Sequence, residues 1–169
     1  AQEVDLTFFT DPGKRVYVRR VEFRGNTKSR DHVLRREMRQ IEGGWISTGK
    51  LERSRVRLQR LGYFEEVNIE TPSVPGTTDQ VDVIVTVVEK PSGSFLAGVG
   101  FSQSQGFVVN TEVNQENFLG TGNRVSATFN NSDVNRTFAV SYLNPYWTID
   151  GVSRSFDLFY RETDASNAN

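Results

Sequence analysis

One histidine, His32, and no cysteine occur among the 169 residues, so the side-chain chemistry open to this chain is narrow. Without cysteine there is no thiolate nucleophile, no sulfur-ligated zinc site and no disulfide framework. His32 falls between charged residues on an expected helix, the setting of a solvated side chain rather than a base or ligand. Glu65-Glu66 and Asp79/Asp82 look like paired acids in the sequence, yet neighbouring residues on a strand point to opposite faces. Gly98-x-Gly100 lacks both the helix and the further glycine that a phosphate-cradling loop requires. These residues imply no enzyme, no metal and no cofactor.

The arginines carry more information. Between Lys14 and Arg60 there are fifteen Lys/Arg against five Asp/Glu, whereas the rest of the chain holds five basic and sixteen acidic residues. A split of this kind marks parts with different neighbours. Arg35, Arg36, Arg39, Arg53, Arg55, Arg57 and Arg60 could cover phosphates, so charge alone permits nucleic acid. Against it, no nucleic-acid motif is present and no aromatics are interleaved with the arginines. A basic module can equally meet anionic headgroups or an acidic protein, or present a solvated helix face.

The elements that hold these residues follow from periodicity. Val4–Phe9 alternates like a strand and Asp11-Pro12-Gly13 turns. Arg15–Phe23 alternates again, with a slip near Arg19-Arg20, and Gly25-Asn26 ends it. Ser29 is placed to cap a helix in which Val33, Leu34, Met38 and Ile41 recur before Gly43-Gly44. Thr48 is placed to cap a second, with Leu51, Ser54, Leu58 and Leu61 on one stripe and Gly62 at its end. Two strands follow, Phe64–Glu70 and Val81–Glu89, the latter with a plain period of two. The order is β-α-α-β-β, a compact α+β module.

Pro91-Ser92-Gly93 punctuates a boundary, after which no helical period remains. Five dyad-patterned segments succeed one another. Their apolar series are Phe95/Ala97/Val99/Phe101, Val109/Thr111/Val113, Val125/Ala127/Phe129, Phe138/Val140/Tyr142 and Phe156/Leu158/Tyr160. The opposite face carries Glu112, Asn114, Arg124, Asn130 and Asp157, and aromatics gather near segment ends at Phe118, Tyr142, Tyr146 and Trp147. A soluble sandwich also alternates, but this polar face and these aromatic girdles favour a transmembrane β-barrel. No apolar run reaches the length of a membrane helix, so a membrane would be met with strands.

Several runs resemble one known family. Val33-Leu34-Arg35-Arg36-Glu37-Met38-Arg39-Gln40 and Arg60-Leu61-Gly62-Tyr63-Phe64 resemble the last polypeptide-transport-associated (POTRA) module of the Omp85 family. Asn117-Phe118-Leu119-Gly120-Thr121-Gly122-Asn123, and Asn144-Pro145-Tyr146 before Asp150-Gly151-Val152, look like its first periplasmic barrel turns. The resemblance implies that 1–13 end a preceding POTRA module or linker, that 14–90 form the fifth POTRA module, and that 91–169 open a transmembrane barrel. Five antiparallel strands cannot close by themselves, so the expected fold is an α+β POTRA module followed by a truncated barrel. The family's Val-Arg-Gly-Phe loop motif, which belongs to a later part of the barrel, is absent.

The resemblance also implies a location in the outer membrane, with the POTRA module in the periplasm, and a function in folding and inserting β-barrel proteins. Its implied partners are lipoproteins of the assembly complex, unfolded outer-membrane protein clients and outer-membrane lipid, without nucleic acid or cofactor. Clients would pair with the first barrel strand, the lateral gate, formed by Ser94, Phe95, Leu96, Ala97, Gly98, Val99, Gly100, Phe101, Ser102 and Gln103. Gly98 and Gly100 would weaken that strand's pairing, or else relieve crowding inside the barrel. A lipoprotein would dock on Arg35, Arg39 and Glu42, which share a helix face if the first helix is continuous. A second client edge would lie on Phe64–Glu70 or Val81–Glu89. Other readings are a two-partner-secretion type transporter of the same family and a soluble basic binding module.

Overall fold

The computed structural model describes residues 15–164, so the strand expected at Val4–Phe9 and the turn at Asp11–Gly13 lie outside the described residues. The first body is a three-stranded sheet with two helices. Strand β1 is Tyr17–Arg24, helix α1 Asp31–Arg35, helix α2 Thr48–Arg60, strand β2 Phe64–Glu70 and strand β3 Gln80–Glu89. The sheet order is β1-β3-β2, with β1 parallel to β3 and β2 antiparallel to it. The all-valine alternation in β3 is that of a central strand, and Val81, Val83, Val85 and Val87 are all buried. The slip near Arg19-Arg20 is a real irregularity, where the register of β1 on β3 shifts between Val18 and Arg20. It turns Arg19 and Arg20 together onto Asp82, whose carboxylate lies 2.6 Å from Arg19 Nη2.

Helix α2 forms as its stripe predicts. Ser54 and Leu58 are fully buried, Leu51 and Leu61 pack at the margin, and Gly62 follows the last turn with φ +77°. Its cap is Ser47 rather than Thr48: the Ser47 hydroxyl accepts the Lys50 N–H at 3.4 Å. Burial of the Leu58 side chain contributes about 1.5–3 kcal/mol to the core, which also takes in Val18, Val33, Leu34, Tyr63, Phe64 and Val67.

Helix α1 is much shorter than its spacing suggests. After Arg35 the Glu37 and Met38 amides reach back only three residues, to the Leu34 and Arg35 carbonyls. Beyond them the Arg39 amide donates to Ser54 Oγ on α2, and the buried Gln40 amide group donates to the Ile41 and Trp45 carbonyls. Groups outside the segment satisfy its backbone, so the helix has no reason to continue. Ile41 is accordingly 63% exposed, not on a core stripe. Ser29 does not cap α1 either. The N-cap is Arg30, without a side-chain bond, and Ser29 is turned to other work described below.

Of the two possible client edges in this sheet, β3 is excluded because it lies in the middle. The outer side of β1 is covered at its start by residues 43–46, through Val18 N–H to Gly44, Gly43 N–H to Val18 and Ile46 N–H to Val16. Strand β2 is the edge that remains open along its length among the described residues.

The second body is an antiparallel meander: β4 Gly93–Ser102, β5 Gly106–Phe118, β6 Asn123–Asn131, β7 Asn135–Asn144 and β8 Arg154–Thr163, in the order of the chain. Directly opposed residues share a face. Phe95 opposes Val113, Val113 opposes Ala127, Ala127 opposes Val140 and Val140 opposes Leu158, a row across all five strands. One residue along, Leu96, Glu112, Thr128, Ala139 and Phe159 form the other face, where Ser141 also bonds Asp157. On the apolar face Val99, Phe101 and Leu158 are 75%, 79% and 72% exposed. So continuous an apolar surface is unstable in water and suited to hydrocarbon. Among the described residues no helix is long and apolar enough to cross a membrane.

Candidate functional site

The expected gate strand is an edge strand. Among the described residues β4 has β5 as its one neighbour in the sheet, as β8 has β7 at the other end, and it spans Gly93–Ser102, so Gln103 lies just past it in the turn. Every second residue of such a strand turns its N–H and C=O to the open side, a template for another strand. Gly98 and Gly100 sit on the polar face with Leu96. A Cβ added at either would meet no atom within 4 Å among the described residues. Crowding by these neighbours therefore does not require glycine here. What glycine does supply is a strand with more backbone freedom and less side-chain packing.

The foot of this strand is clasped to its neighbour. Ser92 accepts the Glu116 N–H at 2.8 Å and donates its hydroxyl to the Glu116 carbonyl at 2.8 Å. The turn after β5 is in turn fastened to the POTRA module. Asn117 and Leu119 hold φ of +52°, a left-handed geometry that asparagine tolerates better than leucine. The Asn117 side chain, 8% exposed, accepts the Gly122 N–H and donates to Ser29 Oγ, both at 2.8 Å. Arg30 N–H donates to the Gly120 carbonyl at 2.9 Å, and a Cβ at Gly120 would collide with the Lys28 carbonyl oxygen. Tyr63 donates its hydroxyl to the Gly122 carbonyl at 3.3 Å. Burial, aided by the Glu116 carboxylate, pushes that hydroxyl above its ordinary pKa, so it stays a donor.

A second junction uses charge. Glu37, almost wholly buried, holds Arg57 Nη2 at 2.6 Å, and the same nitrogen donates to the Tyr146 hydroxyl at 3.1 Å. The Arg36 guanidinium lies 4.2 Å from the centre of the Tyr146 ring. The turn between β7 and β8 thus rests on the module through a cation–π contact and an ion-pair relay. None of this was legible beforehand. The turn motifs at 117–123 and 144–146 were visible, but not the partners they reach.

The structure brings together two of the three residues expected to dock a lipoprotein. Arg35 Nη1 lies 3.2 Å from Glu42 Oε1, and that oxygen also accepts the Val21 N–H at 2.8 Å. The Val21 N–H, followed by Arg35, holds the Glu42 carboxyl below its ordinary value. Arg39 is not on this face. Because α1 ends at Arg35, the expected spacing of i, i+4 and i+7 is lost. Arg39 instead borders an open groove with Lys50, Arg53, Arg57 and Arg60. His32 is exposed, and no group of three or more His, Cys, Asp or Glu able to hold a metal is present among the described residues.

Comparison with known proteins agrees with both bodies. Residues 16–90 match the family model "POTRA: Surface antigen variable number repeat", and residues 117–169 match the "Omp85 superfamily domain". The outer membrane protein assembly factor BamA of Neisseria meningitidis is 36% identical over 98% of this chain, which spans 21% of that relative's length. The crystal structure of BamA from Haemophilus ducreyi lacking POTRA domains 1-3 superposes with a TM-score of 0.82 at 40% identity. The match covers 92% of this chain and 29% of that one. CdiB from Acinetobacter baumannii shares the fold alone, with a TM-score of 0.57 at 15% identity over 87% of this chain and 29% of that one. The chain belongs to the Omp85 family, a POTRA module running directly into strands of an outer-membrane β-barrel.

Proposed function

We propose that this chain is the client-facing part of an outer-membrane protein assembly factor, with β4 as the edge on which an incoming strand is templated. A member of this family carries its barrel in the outer membrane and its POTRA module in the periplasm. What supports the reading is the place of β4 as the first strand of the meander, directly after the POTRA module, with two glycines, Gly98 and Gly100, on one of its faces. In the complete barrel this edge would close against the last strand, weakly enough to part and admit a client by β-augmentation. Backbone hydrogen bonds formed where water is scarce supply the driving force, so the protein works by binding and templating, without catalysis, nucleotide or cofactor. The apolar face is the surface for outer-membrane lipid.

The Arg35–Glu42 pair, set at the β1 side of the module, is the proposed docking point for a BamD-like lipoprotein, and Arg39 would contribute from a separate face. The secretion reading has only a shared fold in its favour, and its likeness covers no closer sequence.

Disulfide trapping tests the edge. In the full-length protein, Val99→Cys should crosslink to a cysteine in the last strand of a client during assembly. A cysteine on the interior strand β6, at Ser126, should not. Equal yields from the two positions would remove β4 from the mechanism.

A further inference from the structure

The apolar face of the sheet changes character at one end of β6–β8. Val125, Tyr142 and Phe156 stand in register on that face. Two residues further along each strand the same face presents Asn123, Asn144 and Arg154, the last two directly opposed. Arg154 is therefore an arginine on the hydrocarbon side, at the first residue of β8. Its guanidinium lies 3.1 Å from the centre of the Trp147 ring and 4.9 Å from that of Phe156. Among the described residues it forms no ion pair with a carboxylate, and its buried Nε has no hydrogen-bond partner.

Beneath this row lies a cavity of about 390 Å³, between the sheet and the module. Asn123, Asn144 and Trp147 border it from the barrel, and Arg30 and Arg36 from the module. The Arg36 guanidinium is held at this wall by the Tyr146 ring, which also borders the cavity. Its Nε and Nη2 are buried without a hydrogen-bond partner among the described residues. Its ion-pair partner, Glu37, stays 3.8 Å from Arg36 Nε and gives its other oxygen to Arg57 at 2.6 Å. No Asp or Glu borders the cavity, so its charge is positive. Trp147 and Ile149, beside it, are 52% and 101% exposed, apolar side chains at the end of an apolar face. Arg36 and Arg154 thus stack on consecutive rings of one turn, and each has an N–H that nothing described accepts.

We propose that this rim binds the phosphate of a phospholipid in the periplasmic leaflet, with Arg36 and Arg154 as its cations. It rests on the apolar face being the lipid surface, and adds a headgroup to the acyl chains that cover that face. The side chains follow the order of groups along such a lipid. Hydrocarbon lies against Val125, Tyr142 and Phe156, the ester carbonyls reach the level of Asn123 and Asn144, and the phosphate meets the arginines. A guanidinium suits this task, because its planar N–H groups match phosphate oxygens while an aromatic ring supports its face. A free phosphate has no use for the apolar half of the surface. Arg36 belongs to the module and Arg154 to the barrel, so the bound lipid spans the junction and sets the module's height against the membrane.

The test is native mass spectrometry of the full-length protein in an uncharged detergent, titrated with dioleoylphosphatidylglycerol or with dioleoylglycerol, which has the same chains and no phosphate. Wild type should hold the phospholipid about tenfold tighter than the diacylglycerol, as befits charge-assisted hydrogen bonds to the headgroup. Arg154→Gln, which leaves the contacts of the module untouched, should weaken phospholipid binding about fivefold, and Arg36→Gln/Arg154→Gln should bring it to the diacylglycerol level. Arg53→Gln, on α2, should change neither. Equal retention of the phospholipid by wild type and Arg154→Gln, or equal retention of the two lipids by wild type, would overturn the site and leave the apolar face as a lipid surface. Displacement of the phospholipid by an equal concentration of inorganic phosphate would make this a free-anion site and refute the lipid. Wild-type protein that holds neither lipid and stays outside phospholipid vesicles would overturn the lipid surface as well.

Discussion

Replacing Asn117 should uncouple the POTRA module from the barrel without unfolding either. The side chain satisfies two groups at once, the Gly122 N–H and the Ser29 hydroxyl, at a site 8% exposed and with φ at +52°. Asn117→Gly removes the two side-chain bonds but keeps a residue at ease in left-handed geometry. Leaving the Gly122 N–H unsatisfied costs about 1–3 kcal/mol. Asn117→Ala loses the same bonds and adds about 1 kcal/mol, because a Cβ disfavours that conformation. The predicted order of junction stability is therefore wild type, then glycine, then alanine, with a span of about 2–4 kcal/mol. Hydrogen–deuterium exchange on the full-length protein reads it directly at the amides of Gly122 and Arg30, the latter bonded to the Gly120 carbonyl. Each 1.4 kcal/mol is about tenfold in exchange rate, so alanine should speed these amides by about 30-fold or more while those of Val83 and Val85 hold. Unchanged exchange at Gly122 in the alanine variant, or faster exchange in glycine than in alanine, would refute the reasoning.

Gly98→Val places a β-branched side chain in open space on β4 and should stiffen it by about 1 kcal/mol, slowing client insertion about fivefold; unchanged rates in reconstituted vesicles would contradict this. Leu58→Ala empties a fully buried position and should cost the module about 2–5 kcal/mol, seen as an earlier urea midpoint by Trp45 fluorescence in a Trp147→Phe background. Acid should loosen the ties of Glu89. Burial works against its charge, but the hydrogen bonds from Ser29, Lys28 and Thr27 outweigh it and hold its folded pKa below the ordinary value. That stabilisation is complete above the unfolded pKa of about 4.3 and is lost as pH falls through the lower folded value. Denaturation midpoints of wild type and Glu89→Gln should therefore converge below about pH 4 and separate above it.

What the sequence displayed, and what it hid, divides along a physical line. Patterns set by one element's own surroundings were legible: the valines of β3, the Ser54/Leu58 stripe, and a polar face on one side of every barrel strand. Features settled by a distant partner were not. Val33, Leu34, Met38 and Ile41 have helical spacing, yet the helix stops at Arg35 because Ser54 Oγ, fifteen residues away, takes the Arg39 amide. Ser29 has the chemistry of a cap, and the structure gives its hydroxyl to Asn117, across a separation of 88 residues. The same miscount of α1 put Arg39 beside Arg35 and Glu42. For the barrel edge, alternation located β4 to within one residue, but the hold on its foot depends on Ser92 meeting Glu116 at the far end of β5.

The clasp between Ser92 and Glu116 has a further meaning when β4 is considered as a measuring device. One end of the strand is fixed, tied to β5 by two hydrogen bonds and through the 117–122 turn to the module; the other ends in a simple hairpin at 103–105. With the turn at 103–105 closing the other end, β4 cannot slide along β5, so its base behaves as the zero mark of a ruler. Each strand laid against it is read from the same origin, however far the upper end has opened. A barrel built on such an edge would inherit its stagger from the foot of the assembling protein's own first barrel strand, before any of its later strands had formed.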